Sequence, residues 1–287
     1  MIEFLLFMEF LKNLLSPSNV LINTYPSSTE EALIKESELS KTVSLKIDEN
    51  FISAKSVLIK EIKGGTLYSK NIDEKLPIAS LTKLMTALVS LIEYNKDTIF
   101  EVPSSFNFYE PQVDFKKGEK FKRDDLIKAM LVSSSNASAI LLSSNLREKN
   151  FVDEMNKIAK FLGLRNTEFE DVTGISPKNV STIKDIYYLS EYIISEYPEI
   201  FYYSRSPSFV LKGNFERILY NTNKLIYKYG ENILGSKTGF TDEAKQCLIM
   251  IVKFKNSPLV FVGILGSEDR VKDGEYILKI LESYYNK

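Results

Sequence analysis

The chain has 287 residues, of which 44% are hydrophobic and 26% are charged, with 37 basic and 38 acidic side chains. A chain so close to neutral lacks the basic excess of a general nucleic-acid binder, so no nucleic-acid partner is expected. It contains no histidine and one cysteine, Cys247, which excludes an intrachain disulfide framework, a cysteine-based zinc site and a serine nucleophile with an imidazole base.

The first 45 residues lack the signals of a folded domain. Residues 1–24 carry short apolar clusters, but Glu3 and Glu9 interrupt them and Lys12 is their one basic residue. This pattern fits an export or membrane-anchor segment and an amphipathic helix equally well. Residues 25–45 are rich in Ser, Thr, Glu and Lys and are predicted to form a linker. The folded domain is therefore expected to span residues 46–287.

This domain is predicted to begin with a β-hairpin and to continue through helices. Ala54–Ile62 and Thr66–Lys70 are β-rich runs on either side of a Gly-Gly turn. Apolar helical segments follow, separated by turn-rich stretches at residues 102–120 and 165–179, and Ser181 is the expected N-cap of the last helix. The predicted helices are Pro77–Tyr94, Arg123–Leu131, Ala137–Leu146, Phe151–Leu162 and Ser181–Tyr197.

The C-terminal third returns to strands. Gly235–Thr241 precedes two apolar runs, Cys247–Phe254 and Leu259–Leu265, which a turn separates. Such runs are typical of buried antiparallel strands, and Asp269–Tyr285 reads as a closing amphipathic helix. We predict an α/β (α+β) fold in which one antiparallel sheet is built from N- and C-terminal strands and flanked by helices, with an all-helical subdomain inserted.

Ser80 and Lys83 form a Ser-x-x-Lys pattern at the start of a predicted helix. Pro77 suits a first helical turn, and residues three apart share a helix face, so the two side chains are expected to be within reach. Without histidine, a lysine with a lowered pKa is the obvious base for a serine nucleophile. The pattern alone is weak, because Ser181–Lys184 also matches it and is interpreted as a helix cap followed by a solvated lysine.

Two further motifs carry polar groups suited to a cleft. Ser134-Ser135-Asn136 lies between two apolar helical segments, where Ser and Asn favour a turn. It is interpreted either as a simple polar turn or as a hydroxyl and an amide presented to a substrate. Lys237-Thr238-Gly239 precedes the C-terminal strands. An edge strand with these residues can pair with an extended peptide and hold its terminal carboxylate.

The three motifs occur in the order and approximate spacing of the penicillin-recognising serine acyltransferases. Within that superfamily the chain most resembles the serine D-alanyl-D-alanine carboxypeptidases, the low-molecular-mass penicillin-binding proteins. The resemblance runs from about Ala54 to Tyr285. It is carried by several segments in order, namely Leu67–Lys70, Pro77–Ala87, Gly118–Lys120, Asp125–Leu126, Gly163–Phe169, Thr173–Gly174, Ser181–Thr182, Asn221–Leu225 and Gly235–Ala244.

The resemblance implies a role for each motif residue. Ser80 is the expected acylated nucleophile, Lys83 its general base, and Ser134 the relay of a proton to the leaving D-alanine. Asn136 is expected to bind the substrate and to orient Lys83. Lys237 and Thr238 are expected to hold the substrate carboxylate. The backbone N–H groups of Ser80 and of Phe240, just after Gly239, are expected to form the oxyanion hole. The positive charge of Lys237 and the helix N-terminus are expected to lower the pKa of Lys83.

The resemblance also implies partners and location. The expected substrate is a peptidoglycan stem peptide ending in D-Ala-D-Ala, and β-lactams are the expected covalent inhibitors. No metal or organic cofactor is expected. The expected location is extracytoplasmic, in the cell envelope. Because no C-terminal β-rich domain is expected after the last helix, any membrane attachment is expected to come from the N-terminus.

Two residues depart from the family pattern, and two rival functions stay open. Ser135 stands where the family usually has Gly or Ala, and Ala137 stands where it usually has Asp or a similar polar residue, which puts the turnover rate in doubt. One rival is a class A-like β-lactamase that uses Glu170, 36 positions after Ser134, as its deacylating carboxylate. The other is an inactive cell-wall-binding module of the same fold. The motifs do not separate carboxypeptidase from endopeptidase activity.

Overall fold

The structure is a computed structural model that describes residues 45–286. The expected N-terminal segment at residues 1–24, and all of the expected linker except residue 45, lie outside this range. The strands are β1 (Ser56–Glu61), β2 (Thr66–Lys70), β3 (Leu76–Pro77), β4 (Ile99–Glu101), β5 (Lys120–Lys122), β6 (Val180–Ser181), β7 (Ser208–Lys212), β8 (Glu216–Tyr220), β9 (Ile233–Thr241), β10 (Lys245–Val252) and β11 (Val260–Ser267). The helices are α1 (Lys83–Glu93), α2 (Arg123–Val132), α3 (Asn136–Ser143), α4 (Glu148–Phe161), α5 (Ile183–Glu196), α6 (Glu199–Ser204), α7 (Ile226–Tyr229) and α8 (Arg270–Tyr285).

The main sheet joins the two ends of the described chain, as predicted. Its five strands run in the order β2-β1-β11-β10-β9, and every neighbouring pair is antiparallel. The β1–β2 hairpin and the β10–β11 hairpin are both present where the apolar runs predicted them. The strand β9, which carries the Lys-Thr-Gly motif, lies at one edge of this sheet.

Both faces of the sheet are covered at β10 and β11, which explains why these two strands are apolar along most of their length. Successive side chains on a strand point to opposite faces. Leu248 and Met250 on β10 therefore pack in the same core as Ile277 of α8. Ile249 and Ile251 face the other way, into the core that contains the residues of α1, α2 and α5. The sheet thus separates a small C-terminal layer from a large helical region.

The region inserted between the N- and C-terminal strands is mostly helical, but it also contains three two-stranded sheets that the sequence did not predict. These pairs are β3–β6, β4–β5 and β7–β8. On β8, the side chain of Arg217 is buried whereas Ile218 and Tyr220 are 60% and 63% exposed. A strand that buries an arginine together with Leu219 and exposes two other apolar residues does not show the alternation of apolar and polar residues that identifies a half-buried strand.

A buried ion pair ties the β7–β8 hairpin to the connection between β4 and β5. Arg217 Nη2 donates to Glu119 Oε2 over 2.6 Å, with side chains 4% and 0% exposed. Arg217 also donates to the carbonyl of Asp114, and Glu119 accepts from the backbone N–H groups of Lys116 and Asn214. Because both charges have several partners, this contact holds the long irregular connection in place.

Several predicted helix limits were wrong by a few residues. Pro77 lies in β3, not in a first helical turn, and a 3₁₀ turn at Ala79–Thr82 precedes α1. The helix after the Ser-Ser-Asn turn ends at Ser143 instead of Leu146, and α4 begins at Glu148. The N-cap of α5 is Thr182, whose hydroxyl accepts from the Asp185 N–H, while Ser181 pairs with Leu76 in the β3–β6 sheet.

Candidate active site

The amine of Lys83 lies where three segments of the chain meet. Its Nζ atom is 2.8 Å from Ser80 Oγ, 2.7 Å from Asn136 Oδ1 and 2.5 Å from the carbonyl oxygen of Thr173. The Lys83 side chain is fully buried, whereas Ser80 and Asn136 are partly exposed. The amine therefore lies beneath two oxygen-bearing side chains that solvent can reach.

Ser80 is held in the 3₁₀ turn by two close backbone approaches. The preceding residue, Ala79, has a φ of 46°, a left-handed conformation that costs a non-glycine residue about 1–2 kcal/mol. Gly174 packs so tightly here that a Cβ atom at this position would lie 2.0 Å from the Ala79 carbonyl oxygen. A Cβ on Gly239 would lie 3.1 Å from the Ser80 nitrogen. The two glycines thus let a loop and β9 approach the backbone of the turn.

A second lysine connects β9 with the Ser-Ser-Asn turn. Lys237 Nζ donates to Ser134 Oγ over 2.8 Å, and its side chain is 1% exposed. Ser134 has a φ of 62°, so the turn places its hydroxyl between the α2–α3 connection and the edge strand. Beside Lys237, Thr238 Oγ1 lies 2.5 Å from Thr222 Oγ1. The structure therefore brings the three sequence motifs together in one cleft.

Burial is the main cause of the lowered pKa at both lysines. It lowers the pKa of Lys83 to about 7, while the carboxylates of Glu110 and Asp171 oppose this shift. Burial also holds the pKa of Lys237 well below its usual value, followed by repulsion from Lys83 and from Arg270. The expected lowering at Lys83 is present, and burial is its largest cause.

Glu110 is a component of the site that sequence reasoning missed. It lies in the irregular connection between β4 and β5. Its Oε2 atom accepts from Ser135 Oγ over 3.1 Å and from the Ala137 backbone N–H over 2.9 Å. A carboxylate from another part of the chain thus lies beside Ala137. No local pattern around Glu110 pointed to this contact.

Asp171 organises the loop that offers the Thr173 carbonyl to Lys83. Its carboxylate accepts from the backbone N–H groups of Thr173 and Gly174, both over 2.6 Å, and from that of Ser176 over 2.7 Å. It also accepts from the side chains of Thr173 and Asn179. An Asp side chain in a turn commonly accepts from the backbone N–H two residues later, so a turn at Asp171 was readable from the sequence although only Thr173 and Gly174 were singled out.

Glu170, the residue on which the β-lactamase rival depends, binds elsewhere. Its carboxylate pairs with Lys178 Nζ over 2.6 Å and accepts a hydrogen bond from the hydroxyl of Ser176. These surface partners, and the bond from Lys178 foremost, lower the pKa of the carboxylate.

Within residues 45–286, no group of three or more His, Cys, Asp and Glu side chains is arranged to hold a metal ion.

Near its end, the edge strand β9 has an exposed side chain beside the cleft. Phe240, immediately after Gly239, is 59% exposed. Arg270 at the start of α8 donates through Nη1 to the carbonyl of Gly239 over 2.9 Å, which fixes this end of β9. An extended peptide can add to a sheet at such an edge through main-chain hydrogen bonds.

Comparisons with known proteins agree with this arrangement. A family profile described as D-alanyl-D-alanine carboxypeptidase matches residues 42–268. The chain is 32% identical over 252 residues to a D-alanyl-D-alanine endopeptidase of Pseudomonas aeruginosa, covering 83% of this chain and 80% of that protein. It is 29% identical to the D-alanyl-D-alanine carboxypeptidase DacF of Bacillus subtilis, covering 81% of this chain and 62% of the relative. A Listeria monocytogenes penicillin-binding protein, solved in its ampicillin-bound form, superposes with a TM-score of 0.70 at 30% identity, covering 81% and 97% of the two chains.

Proposed function

Since the chain belongs to the D-alanyl-D-alanine carboxypeptidase family, we propose that it removes the terminal D-alanine from peptidoglycan stem pentapeptides through an acyl-enzyme on Ser80. The observation that carries this proposal is the buried amine of Lys83, 2.8 Å from Ser80 Oγ, with a pKa lowered to about 7. An amine in this state is available as a base near neutral pH. Penicillins acylate the same serine.

Acylation begins with neutral Lys83. Its two N–H groups donate to Asn136 Oδ1 and to the Thr173 carbonyl, which leaves the nitrogen lone pair to accept the Ser80 hydroxyl proton. The Ser80 oxygen then attacks the carbonyl carbon of the penultimate D-alanine. The backbone N–H groups of Ser80 and Phe240 stabilise the oxyanion that forms.

Protonated Lys83 returns its proton, through the hydroxyl of Ser134, to the nitrogen of the leaving D-alanine, which restores neutral Lys83 for the next step. Lys237 donates to the Ser134 hydroxyl, and the terminal carboxylate of the substrate binds between Lys237 and Thr238. This carboxylate brings the negative charge that the buried Lys237 lacks in the free protein, so binding favours protonated Lys237. Asn136 binds the substrate and orients Lys83.

Hydrolysis of the ester completes the cycle. A water molecule attacks the Ser80 ester, Lys83 accepts its proton, and Ser80 leaves with a proton to regenerate the free enzyme. A penicillin enters the same path, but the group released from its opened amide stays attached to the acyl chain. It blocks the approach of water, and the acyl-enzyme persists.

A related activity on the same site is endopeptidase cleavage. The Pseudomonas aeruginosa relative carries the name D-alanyl-D-alanine endopeptidase and is 32% identical to this chain. Both reactions use the same acylation of serine and differ in the group that leaves. The β-lactamase alternative is disfavoured, because Glu170 is committed to Lys178 and Ser176.

A peptidoglycan substrate lies in the cell envelope, so the proposed enzyme acts outside the cytoplasm. Any attachment to the membrane is proposed to involve residues 1–24. Within residues 45–286, none of the helices has both the length and the apolar character that a bilayer span requires.

The test is intact-mass analysis of the purified protein with a penicillin, followed over time, with Ser80→Ala as the matched variant. We expect a long-lived adduct of one penicillin on the wild type and none on Ser80→Ala. Release of terminal D-alanine from a stem pentapeptide should show the same dependence on Ser80. Rapid drug hydrolysis without an adduct would favour the β-lactamase, and a wild type inert to both compounds would favour the inactive binding module.

A further inference from the structure

The contacts of Glu110 reach the catalytic cleft from a part of the chain that carries none of the three motifs. Its carboxylate accepts from the Ser135 hydroxyl and from the Ala137 N–H. These two residues flank Asn136, the first residue of α3. Glu110 therefore holds the residues on both sides of Asn136, through the hydroxyl of Ser135 and the backbone of Ala137.

These two contacts matter because the backbone of the Ser-Ser-Asn turn adopts an unfavourable conformation. Ser134 has a left-handed φ of 62°, and one residue later the chain must enter α3 with Ser135 as N-cap. Asn136 Oδ1 must also lie 2.7 Å from Lys83 Nζ. A carboxylate near a helix N-terminus is favoured by the free N–H groups there, so Glu110 stabilises this entry into the helix.

The connection that carries Glu110 is itself fixed. The carbonyl of Glu110 accepts from the N–H groups of Val113 and Asp114. Asp114 in turn is bound through its carbonyl by Arg217, whose guanidinium is paired with buried Glu119. A chain of contacts thus runs from the β7–β8 hairpin to the Ser-Ser-Asn turn.

The negative charge of Glu110 also acts on the amine of Lys83. The charged groups around Lys83 are Glu110 from the β4–β5 connection, Asp171 from the loop before β6 and Lys237 from β9, with Glu148 close to Asp171 and Arg270 close to Lys237. The two carboxylates raise the pKa of Lys83 against the larger effect of burial, Glu110 more than Asp171. Negative charge at Glu110 therefore favours the protonated form of Lys83.

We propose that Glu110 is a positioning residue that holds Asn136 against Lys83 and sets the pH range in which Lys83 works as a base. This inference rests on the proposed function, in which Lys83 activates Ser80. It assigns to one carboxylate two separable effects. One is geometric and depends on its oxygen atoms, and the other is electrostatic and depends on its charge.

Glu110→Gln separates the two effects, since it keeps an oxygen acceptor and removes the charge. The measurement is the second-order rate constant of acylation by a fluorescent penicillin from pH 5 to pH 10. We expect the acid limb of the profile to move to lower pH by about 0.5–1 unit, because loss of the carboxylate lowers the pKa of Lys83. The rate on the alkaline plateau should stay within a few-fold of the wild type.

Asp114→Asn is the matched control, because it removes a carboxylate from the same connection whose partner is Lys116 at the surface. Its profile should overlay that of the wild type. Ser135→Ala removes one donor to Glu110, together with the N-cap acceptor of α3, and keeps the charge, so its plateau should fall while the acid limb stays in place. Glu110→Ala should show both effects, with a plateau lowered by about tenfold or more.

The outcomes separate the inference from the function on which it rests. A wild type that penicillin does not acylate would overturn the proposed function. A wild type with a clear acid limb that Glu110→Gln leaves unmoved would overturn the electrostatic role of Glu110 alone. An unchanged plateau in both Ser135→Ala and Glu110→Ala would overturn its positioning role. A general loss of stability would lower the whole profile and would not move the limb.

Discussion

The chain contains two Ser-x-x-Lys sequences, and their lysines lie in opposite environments. Lys83 is fully buried and contacts Ser80, Asn136 and the Thr173 carbonyl. Lys184 has a side chain that is 43% exposed and pairs with Asp73 over 3.1 Å. The hydrogen bond that Lys184 donates to Asp73 raises the pKa of Lys184, whereas burial lowers that of Lys83.

The serines differ as well. Ser80 Oγ faces the amine of its lysine, while Ser181 Oγ lies 2.7 Å from Thr167 Oγ1 in a different contact. The spacing of a motif thus establishes only that two side chains start near each other. The loops that cover the lysine decide whether its amine is neutral and whether the serine can use it. The interpretation of Lys184 as a surface lysine is confirmed, although Ser181 is a strand residue and not a cap.

The largest expected effect comes from removing each lysine in turn. Lys83→Met should reduce penicillin acylation by about 10²–10⁴-fold, since it deletes the proposed general base. Lys184→Met removes an equally long side chain from the other motif and should leave acylation within about twofold, because surface ion pairs contribute little. Acylation kinetics with a fluorescent penicillin measure both. Equal losses in the two variants would mean that the two lysines do not differ in function.

Two glycines test how closely the covering loop must approach the nucleophile. Gly174 and Gly163 have φ values of 84° and 72°, but a Cβ at 174 would strike the Ala79 carbonyl whereas one at 163 meets nothing within 4 Å. Gly174→Ala should therefore lower acylation by about 10²-fold by displacing the Ser80 turn. Gly163→Ala carries the same backbone strain without the collision.

Thermal unfolding should accompany these rates. The Gly163→Ala variant is expected to lose about 1 kcal/mol of stability from strain and to keep its acylation rate. Full activity in Gly174→Ala would contradict the proposed need for close packing of the loop. Loss of activity in Gly163→Ala would show that strain, and not the contact with Ala79, is responsible.

The smallest expected effect is on the pH dependence of stability. The pKa of Lys83 falls from 10.5 to about 7 on folding, so between these pH values the unfolded chain binds more protons than the folded chain. The free energy of unfolding should then rise with pH across this window, by at most about 1.4 kcal/mol per unit for one group. Urea denaturation at pH 7, 8 and 9 measures the slope.

Lys83→Met should reduce this slope but not abolish it, because Lys237 also has a lowered pKa. Lys184→Met should leave the slope unchanged, since the pKa of Lys184 is raised and its titration lies above the window. A steeper slope in Lys83→Met would mean that Lys83 is charged in the folded protein at neutral pH.

Much of the main sheet and the residues of the cleft were readable from the sequence. The apolar runs on β10 and β11 fill both faces of a covered sheet, and the three motifs pointed to Ser80, Ser134 and Lys237. The parts that were missed depend on long-range contacts. Arg217 is buried because Glu119, 98 positions earlier, pairs with it, and Glu110 matters because it reaches residues 25 and 27 positions later. No local pattern encodes either contact.

The closing of the sheet has a consequence for the order of folding. Ser56 on β1 pairs with Leu265 on β11, so the first strand of the sheet pairs with the last one, and such distant pairings form slowly. Lys237 lies on β9, which is another of the C-terminal strands of this sheet. A refolding chain therefore brings the amine of Lys237 beside that of Lys83 only when the C-terminal strands join the rest of the domain. The time course of penicillin acylation during refolding would report this late step of folding.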